Sequence, residues 1–471
     1  MSSSFLPDNT ENGTDFRTEV YKLLIIALPI MGAQLAQSGM AVADTLMTGR
    51  LGADALAAVA LGASIWTPLF LFMAGVMLGL TPFVAQWQGE NKPEKTGPFT
   101  FQGFWLGLAM SLISIILISF HTYVLDLMSA PVHLYDLVSD YLLGIMLAFP
   151  AIGLYQTMRS YTEGLGLTKP VLIISVIALL INILANAVLI FGWGPIPALG
   201  VLGCGIATAI AVWSSVIMMW LNIRYRSRYQ QTTPFQHFSL PEPRILNTIL
   251  QTGLPIGVAI FFEVGLFTTI ALFIAHLGTT QVAAHQIALN VTSVTFMIPL
   301  SLAMALTVRV GHSLGEQKRK HTDDTAPEAV YVSRRITRFV AITGIICTVI
   351  ASGFTASIMF FLPESIARLY TADTEVIALA VTLLHLAAVF QLSDALQVSA
   401  SGALRGYKDT KIIMPITLVS YWVIGMGLGY VLALTDIIVP AQGVSGFWYG
   451  LIAGLSCAAI LLCWRLRKTA S

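Results

Sequence analysis

The chain has 471 residues, of which 56% are hydrophobic and only 10% charged, and its mean hydropathy is +0.79. Those values exclude a soluble domain of this length and define an integral membrane protein. The net charge of +1 identifies no partner, and no nucleic-acid partner is expected; it is the placement of the charges that carries information.

Crossing about 30 Å of hydrocarbon at 1.5 Å per residue takes about 20 apolar residues in a helix. Runs of that length recur twelve times, with approximate cores at 22–47, 54–85, 101–125, 135–157, 170–192, 200–223, 246–275, 281–311, 337–362, 375–400, 411–434 and 444–464. The first run is too long for a signal-peptide core and follows an acidic segment with Asp8, Glu11, Asp15 and Glu19, so no secretory signal peptide is expected. Cys204, Cys347, Cys457 and Cys463 all fall inside apolar runs, where a small buried hydrophobe is the expected role. With a cytoplasmic N-terminus, only Arg50 and Arg368 of the 25 Lys and Arg lie outside. This positive-inside bias predicts both termini in the cytoplasm and supports an even number of spans.

The sequence repeats itself. Leu28 to Lys92 aligns without gaps to Leu254 to Lys318 at a shift of 226, with 17 identities in 65 positions, among them Pro29 with Pro255 and Gly89-Glu90 with Gly315-Glu316. At a shift of 242, Gly164, Thr168 and Lys169 pair with Gly406, Thr410 and Lys411; at 243, Gly200-Val201 and Gly203 pair with Gly443-Val444 and Gly446. Six spans per repeat make the two repeats parallel, related by an axis along the membrane normal. The expected fold is therefore an all-α integral membrane protein: an N-lobe at 1–223, a cytoplasmic linker at 224–245 and a C-lobe at 246–471, around a central cleft. Such a pair of lobes suits transport by alternating access, and the basic linker reads as a topology signal and lipid headgroup contact.

Of the 24 acidic residues, 21 are expected in loops or near helix ends, leaving Asp44, Glu263 and Asp394 within spans one, seven and ten. A charge facing lipid at that depth costs at least about 2.5–3.5 kcal/mol, so these three are expected to face the interior or a hydrated cavity. A carboxylate can exchange a proton for Na⁺ or for a cationic solute, which is the chemistry that ion coupling needs. Asn182 and Asn186 share one face of span five and could hold an ion or order Asp44. Gln34, Gln37, Gln286, Asn290, Gln391 and Gln397 suggest a polar interior able to meet a cation or substrate, although each also suits an interhelical hydrogen bond. His385 precedes Asp394 by nine residues and reads either as a satisfied core histidine or as a proton relay. Pro29 and Pro255 occupy one repeat frame and predict a kink in each lobe.

One motif invites an enzyme reading. Gly443-Val444-Ser445-Gly446 matches a serine-nucleophile pattern, yet its repeat at 200–203 has Leu202 in place of the serine, so the glycines read as structural. Neither a zinc-protease helix motif nor a nucleotide-binding loop is present, and the chain is read as a non-enzyme that needs no cofactor.

The segments PIMGAQLAQSGMAVADTLMTGRLG, IFFEVGLF, VAAHQIALN, VRVGHSLGE, QLSDALQV and ALRGYKDTK together resemble the multidrug and toxic compound extrusion (MATE) family, in its NorM-like bacterial branch, from about Leu24 to Arg465. The resemblance implies a monomeric antiporter of the bacterial inner membrane that exports cationic amphiphilic drugs and dyes against inward Na⁺ or H⁺. It places cation coupling at Asp44, Glu263 and Asp394, with the last two as a C-lobe Na⁺ site. Phe390 departs from the pattern, since relatives commonly carry a tyrosine there, which removes one hydroxyl ligand. The alternative within the same superfamily is a flippase for a lipid-linked saccharide, which usually lines its cleft with several Arg and Lys; this chain is expected to have almost none within its spans.

Overall fold

The computed structural model describes residues 15–232, 234–235, 238–320 and 327–470. Asp8 and Glu11 of the N-terminal acidic segment lie outside the described residues. Twelve helices are long and apolar enough to cross a membrane: α1 Phe16–Gly49, α2 Ala53–Glu90, α3 Pro93–Ser119, α4 Val132–Gly164, α5 Lys169–Phe191, α6 Gly200–Tyr225, α7 Pro243–Leu277, α8 Thr279–Lys320, α9 Arg334–Phe361, α10 Thr374–Gly406, α11 Ile413–Leu434 and α12 Val444–Thr469. Among the described residues the only strand-like feature is an isolated bridge between Trp193 and Ile196. Helices are what lipid permits, because each satisfies its own backbone hydrogen bonds. Pro29 and Pro255 both sit inside helices that continue past them, as do Pro68, Pro98, Pro150 and Pro299.

The packing obeys the repeat. In the first six helices α4 packs on α6, α3 on α4 and α1 on α5; in the second six α10 packs on α12, α9 on α10 and α7 on α11. The two groups meet through α2 against α7, α1 against α8, and the second half of α2 against α8. Small residues make this possible. A Cβ on Gly75 or Gly79 would lie 2.7 Å from the Cα of Gly257 or Gly253 respectively.

Gly89 and Gly315, equivalent residues of the repeat, touch each other: a Cβ on either would lie 3.0 or 2.8 Å from the other's Cα. A small cavity of about 10 Å³ is lined by Leu78 and Met304, Thr81 and Thr307, and Glu163 and Arg405. Each of these is again a pair of repeat partners, at shifts of 226, 226 and 242. Both features therefore lie on the pseudo-two-fold axis that relates the two groups of helices. The contacts between the groups run from Phe72 against Phe261 to the end carrying Lys92 and Lys318.

Candidate functional site

Asp44, on α1, is buried at 7% exposure and fully engaged. Asn186 Nδ2 donates to its Oδ1 at 2.6 Å and Asn182 Nδ2 to the same oxygen at 3.1 Å, while the Thr208 hydroxyl donates to Oδ2 at 3.1 Å. The two asparagines reach Asp44 together because four residues is about one helical turn, so both project from one face of α5. Asn186 also donates to Asn182 Oδ1 at 3.2 Å, and its own Oδ1 is a buried acceptor with no partner. Thr208, on α6, completes the carboxylate's shell; nothing in its local sequence marks it.

The second site is unlike the first. Asp394, on α10, is 2% exposed, and its Oδ1 has no hydrogen-bond partner. Gln391, one turn earlier, is fully buried; its Oε1 accepts from Thr295 at 3.2 Å and its Nε2 is unpartnered. Glu263 is half-buried on α7 and makes no hydrogen bond or ion pair among the described residues. Its charge acts on Asp394, on the Arg405 guanidinium and on the Tyr421 phenol, which groups these four side chains from α7, α10 and α11.

Tyr421 comes from an unusual piece of backbone. Val419–Met426, within α11, is a π-helix, whereas α5, which occupies the corresponding place in the first repeat, is α-helical throughout Lys169–Phe191. Single π-turns inside α-helices are rare and concentrate at functional sites. Here the segment carries Ser420 and Tyr421, both buried, with hydroxyls that have no partner. Trp422 Nε1 donates to the Phe262 carbonyl at 3.1 Å, pinning the π segment to α7 beside Glu263. Phe390 packs between Phe267 and Trp448 and brings no polar atom to the site.

The remaining polar candidates are dispersed. Gln37 and Gln34 do not join Asp44; their Oε1 atoms accept from Arg159 Nη1 and Nη2, each at 3.2 Å. Gln286 and Asn290 are exposed on α8, and Gln397 is buried on α10. His385 bonds to the Phe360 carbonyl at 3.1 Å and meets that ring at a tilt, with centroids 4.9 Å apart. Among the described residues no group of three or more His, Cys, Asp or Glu could hold a metal ion.

Two expectations need correcting. Glu19 and Glu163, expected near solvent, are 2% and 1% exposed, and three arginines are buried within helices. Arg309 on α8 forms a two-pronged ion pair with Glu19 on α1, at 2.6 and 2.9 Å, joining the two groups of helices. Arg159 pairs with Glu163 at 2.7 Å one turn away. Helix ends hide these charges here because α1, α4, α8 and α10 converge where the groups meet; Glu19, Glu163, Arg159 and Arg309 are met by a partner charge, whereas among the described residues Arg405 Nε donates only to the Ser401 carbonyl at 3.4 Å. Arg159 and Arg309 are therefore already engaged and do not form a basic row for a pyrophosphate.

A twelve-helix fold in two parallel repeats, with a buried carboxylate inside a helix of each, defines a membrane transporter. The chain matches the MatE family over residues 29–188 and 255–431, and belongs to it. It is 42% identical over 446 residues to the probable multidrug resistance protein NorM of Shewanella oneidensis, covering 95% of this chain and 94% of that protein. It is 42% identical to the multidrug resistance protein PmpM of Pseudomonas aeruginosa, covering 100% of this chain and 95% of that one. Among solved structures, a eukaryotic MATE transporter superposes with a TM-score of 0.84 at 22% identity, covering 97% of this chain and 98% of that chain. An outward-facing MATE transporter of the MOP superfamily gives 0.83 at 18% identity, covering 98% and 99%. These last two similarities are of fold.

Proposed function

We propose that this protein is a secondary active antiporter that exports cationic amphiphilic drugs and dyes in exchange for inward Na⁺ or H⁺. The observation that carries the reading is Asp394, a buried carboxylate with an unpartnered oxygen, together with the idle hydroxyls of Ser420 and Tyr421; Glu263 stands half-buried on α7 without a hydrogen bond among the described residues. A buried carboxylate without donors costs several kcal/mol, and binding a cation or proton relieves that cost. The multidrug resistance names of the relatives support drugs as the cargo.

The two groups of helices act as lobes, 1–223 and 246–471, joined by the linker 224–245, with both termini in the cytoplasm of a bacterial inner membrane. The bias of Lys and Arg supports that orientation. It puts the Gly89–Gly315 contact and the Glu19–Arg309 pair at the cytoplasmic end, so this conformation is closed toward the cytoplasm. Cation enters from outside to Glu263 and Asp394, and Asp44 adds a second carboxylate whose asparagine and threonine donors exchange with a proton or ion. Occupancy releases the drug outward; the cation leaves inward after the lobes rock.

The test is dye efflux from proteoliposomes under a Na⁺ gradient and a pH gradient imposed separately. One gradient drives efflux, and Asp44→Asn, Glu263→Gln and Asp394→Asn each abolish dye-stimulated cation flux. Full flux in all three variants, or efflux indifferent to both gradients, overturns the reading.

A further inference from the structure

A cavity of about 330 Å³ opens on the side of the first six helices, away from both carboxylate sites. Its walls are wholly apolar and largely aromatic: Trp105 on α3, Met158 on α4 and Trp220 on α6, roofed by Phe235 and Phe238 from the segment joining α6 to α7. The roof is built, not draped. Phe235 stacks on Phe104 with ring centroids 5.6 Å apart, and Phe238 meets Phe101 edge-on at 5.7 Å. Trp105 Nε1 donates to the Ser239 carbonyl at 3.0 Å, Gln102 Nε2 donates to the Leu240 carbonyl at 2.9 Å, and the Glu242 amide donates to Gln102 Oε1 at 2.8 Å.

The chain that continues from the α6 wall is basic as far as Glu242, the acid that ends the roof segment. Arg224, Arg226 and Arg228 follow its α6 wall within eight residues of Trp220, and all three are exposed. From Val212 to Pro241 the chain contains no Asp or Glu. Tryptophan and arginine at the end of a membrane helix mark the headgroup level, where an apolar slot meets acyl chains and an arginine row meets phosphate.

We propose that this cavity is a binding site for one anionic phospholipid, an acyl chain lying in the aromatic slot and the phosphate held by Arg224, Arg226 and Arg228. On the orientation proposed above, the lipid comes from the cytoplasmic leaflet. Because the roof is the segment that joins the two groups of helices, the lipid packs against the connection across which the lobes rock.

The experiment uses the whole protein in vesicles of unbrominated phosphatidylcholine, to which phosphatidylglycerol or phosphatidylcholine with brominated acyl chains is added. Quenching by contact reports on Trp105 and Trp220, taken as the difference from Trp105→Phe and Trp220→Phe variants. Brominated phosphatidylglycerol quenches saturably and about 10-fold more effectively than brominated phosphatidylcholine, and unbrominated phosphatidylglycerol reverses it. Val216→Trp, which fills the slot, removes the saturable part, with Leu108→Trp on the outer wall as a second filling variant. Arg224→Gln/Arg226→Gln/Arg228→Gln removes the preference for phosphatidylglycerol. Equal quenching by both lipids, saturable quenching that survives both filling variants, or displacement by a cationic dye but not by phosphatidylglycerol overturns the proposal. Vesicles with lipid in both leaflets make the result independent of orientation, and dye efflux from the same vesicles reports separately on transport.

Discussion

The two halves of this protein share a scaffold and treat their carboxylates in opposite ways. Asp44 receives three hydrogen bonds, from Asn182, Asn186 and Thr208, whereas Asp394 has an oxygen with no partner at all. The two acids are not even repeat equivalents: the partner of Asp44 is Ile270, and the partner of Glu263 is Gln37, whose amide is spent on Arg159. The shared fold therefore requires neither site. A carboxylate whose donors are in place is held still, while one without donors is a standing demand for a cation or proton. In the first half the carboxylate has its donors in place and the open acceptor is Asn186 Oδ1 beside it; in the second the carboxylate itself is left open.

The largest test of that contrast is cation binding to purified protein, measured as retained ²²Na⁺ or as proton uptake on a pH jump. Asp394→Asn weakens binding on the order of 100-fold, the scale of removing hydrogen-bonded or ionic contacts of about 3 kcal/mol. Asp44→Asn leaves binding at the other site within about 3-fold while it stops transport, because the two sites share no hydrogen-bond partner. If Asp44→Asn proves the more damaging to binding, the assignment of roles is reversed.

A smaller effect sharpens the side with the open carboxylate. Tyr421→Phe deletes one unpartnered hydroxyl and lowers cation affinity about 10-fold, close to one hydrogen bond to a charged group. Adding Phe390→Tyr in that background restores a hydroxyl one turn before Asp394 and recovers part of the loss. Unchanged affinity in Tyr421→Phe removes the hydroxyl from the site and leaves its burial to packing.

How much of this was legible varies by residue. The twelve spans and the repeat follow from hydropathy and from identities such as Pro29 with Pro255, and the spacing of Asn182 and Asn186 announces one helix face toward Asp44. Gln37 could not be placed, because its direction depends on how α1 is rotated against α4, where Arg159 waits. Glu19 and Glu163 read as solvated because they stand near helix ends, and only the convergence of four helices buries them. The opposite charges of Glu163 and Arg405 in one repeat frame were a readable signal of an axial pair, since identities alone hide a substitution of acid for base. The π segment had no signature: SYWVIG reads as a run of aromatic and apolar residues, yet Tyr421 within it is buried.

The smallest expected effect sits where the halves touch. Gly166 and Lys408 are equivalent at a shift of 242, and both adopt left-handed backbone, with φ of 78° and 63°. The glycine does so without a steric penalty; the lysine bears one of order 1 kcal/mol and uses it to reach across the axis. Its Nζ donates to Gln86 on α2 and lies 4.1 Å from the centre of the Phe83 ring, in the same group as Glu90 and Lys318. Burial, and then the charge of Lys318, push the Lys408 ammonium down to about 8 from its ordinary 10.5, with Glu90 pulling the other way. In a conformation that opens this end to water, Lys408 regains its ordinary affinity for protons. The open state therefore binds more protons than the closed one between pH 8 and 10.5, and the closed state gains as pH rises through that window. The gain is absent below pH 8, where Lys408 is protonated in both states. Paired spin labels across the end that carries Lys92 and Lys318, monitored from pH 7 to 10, show a rising closed population in the native chain. Lys408→Met flattens that dependence, and a flat response in the native chain shows that Lys408 titrates alike in both states. The half with glycine has no titratable group at that repeat position, so the response between pH 8 and 10.5 comes from the C-terminal repeat.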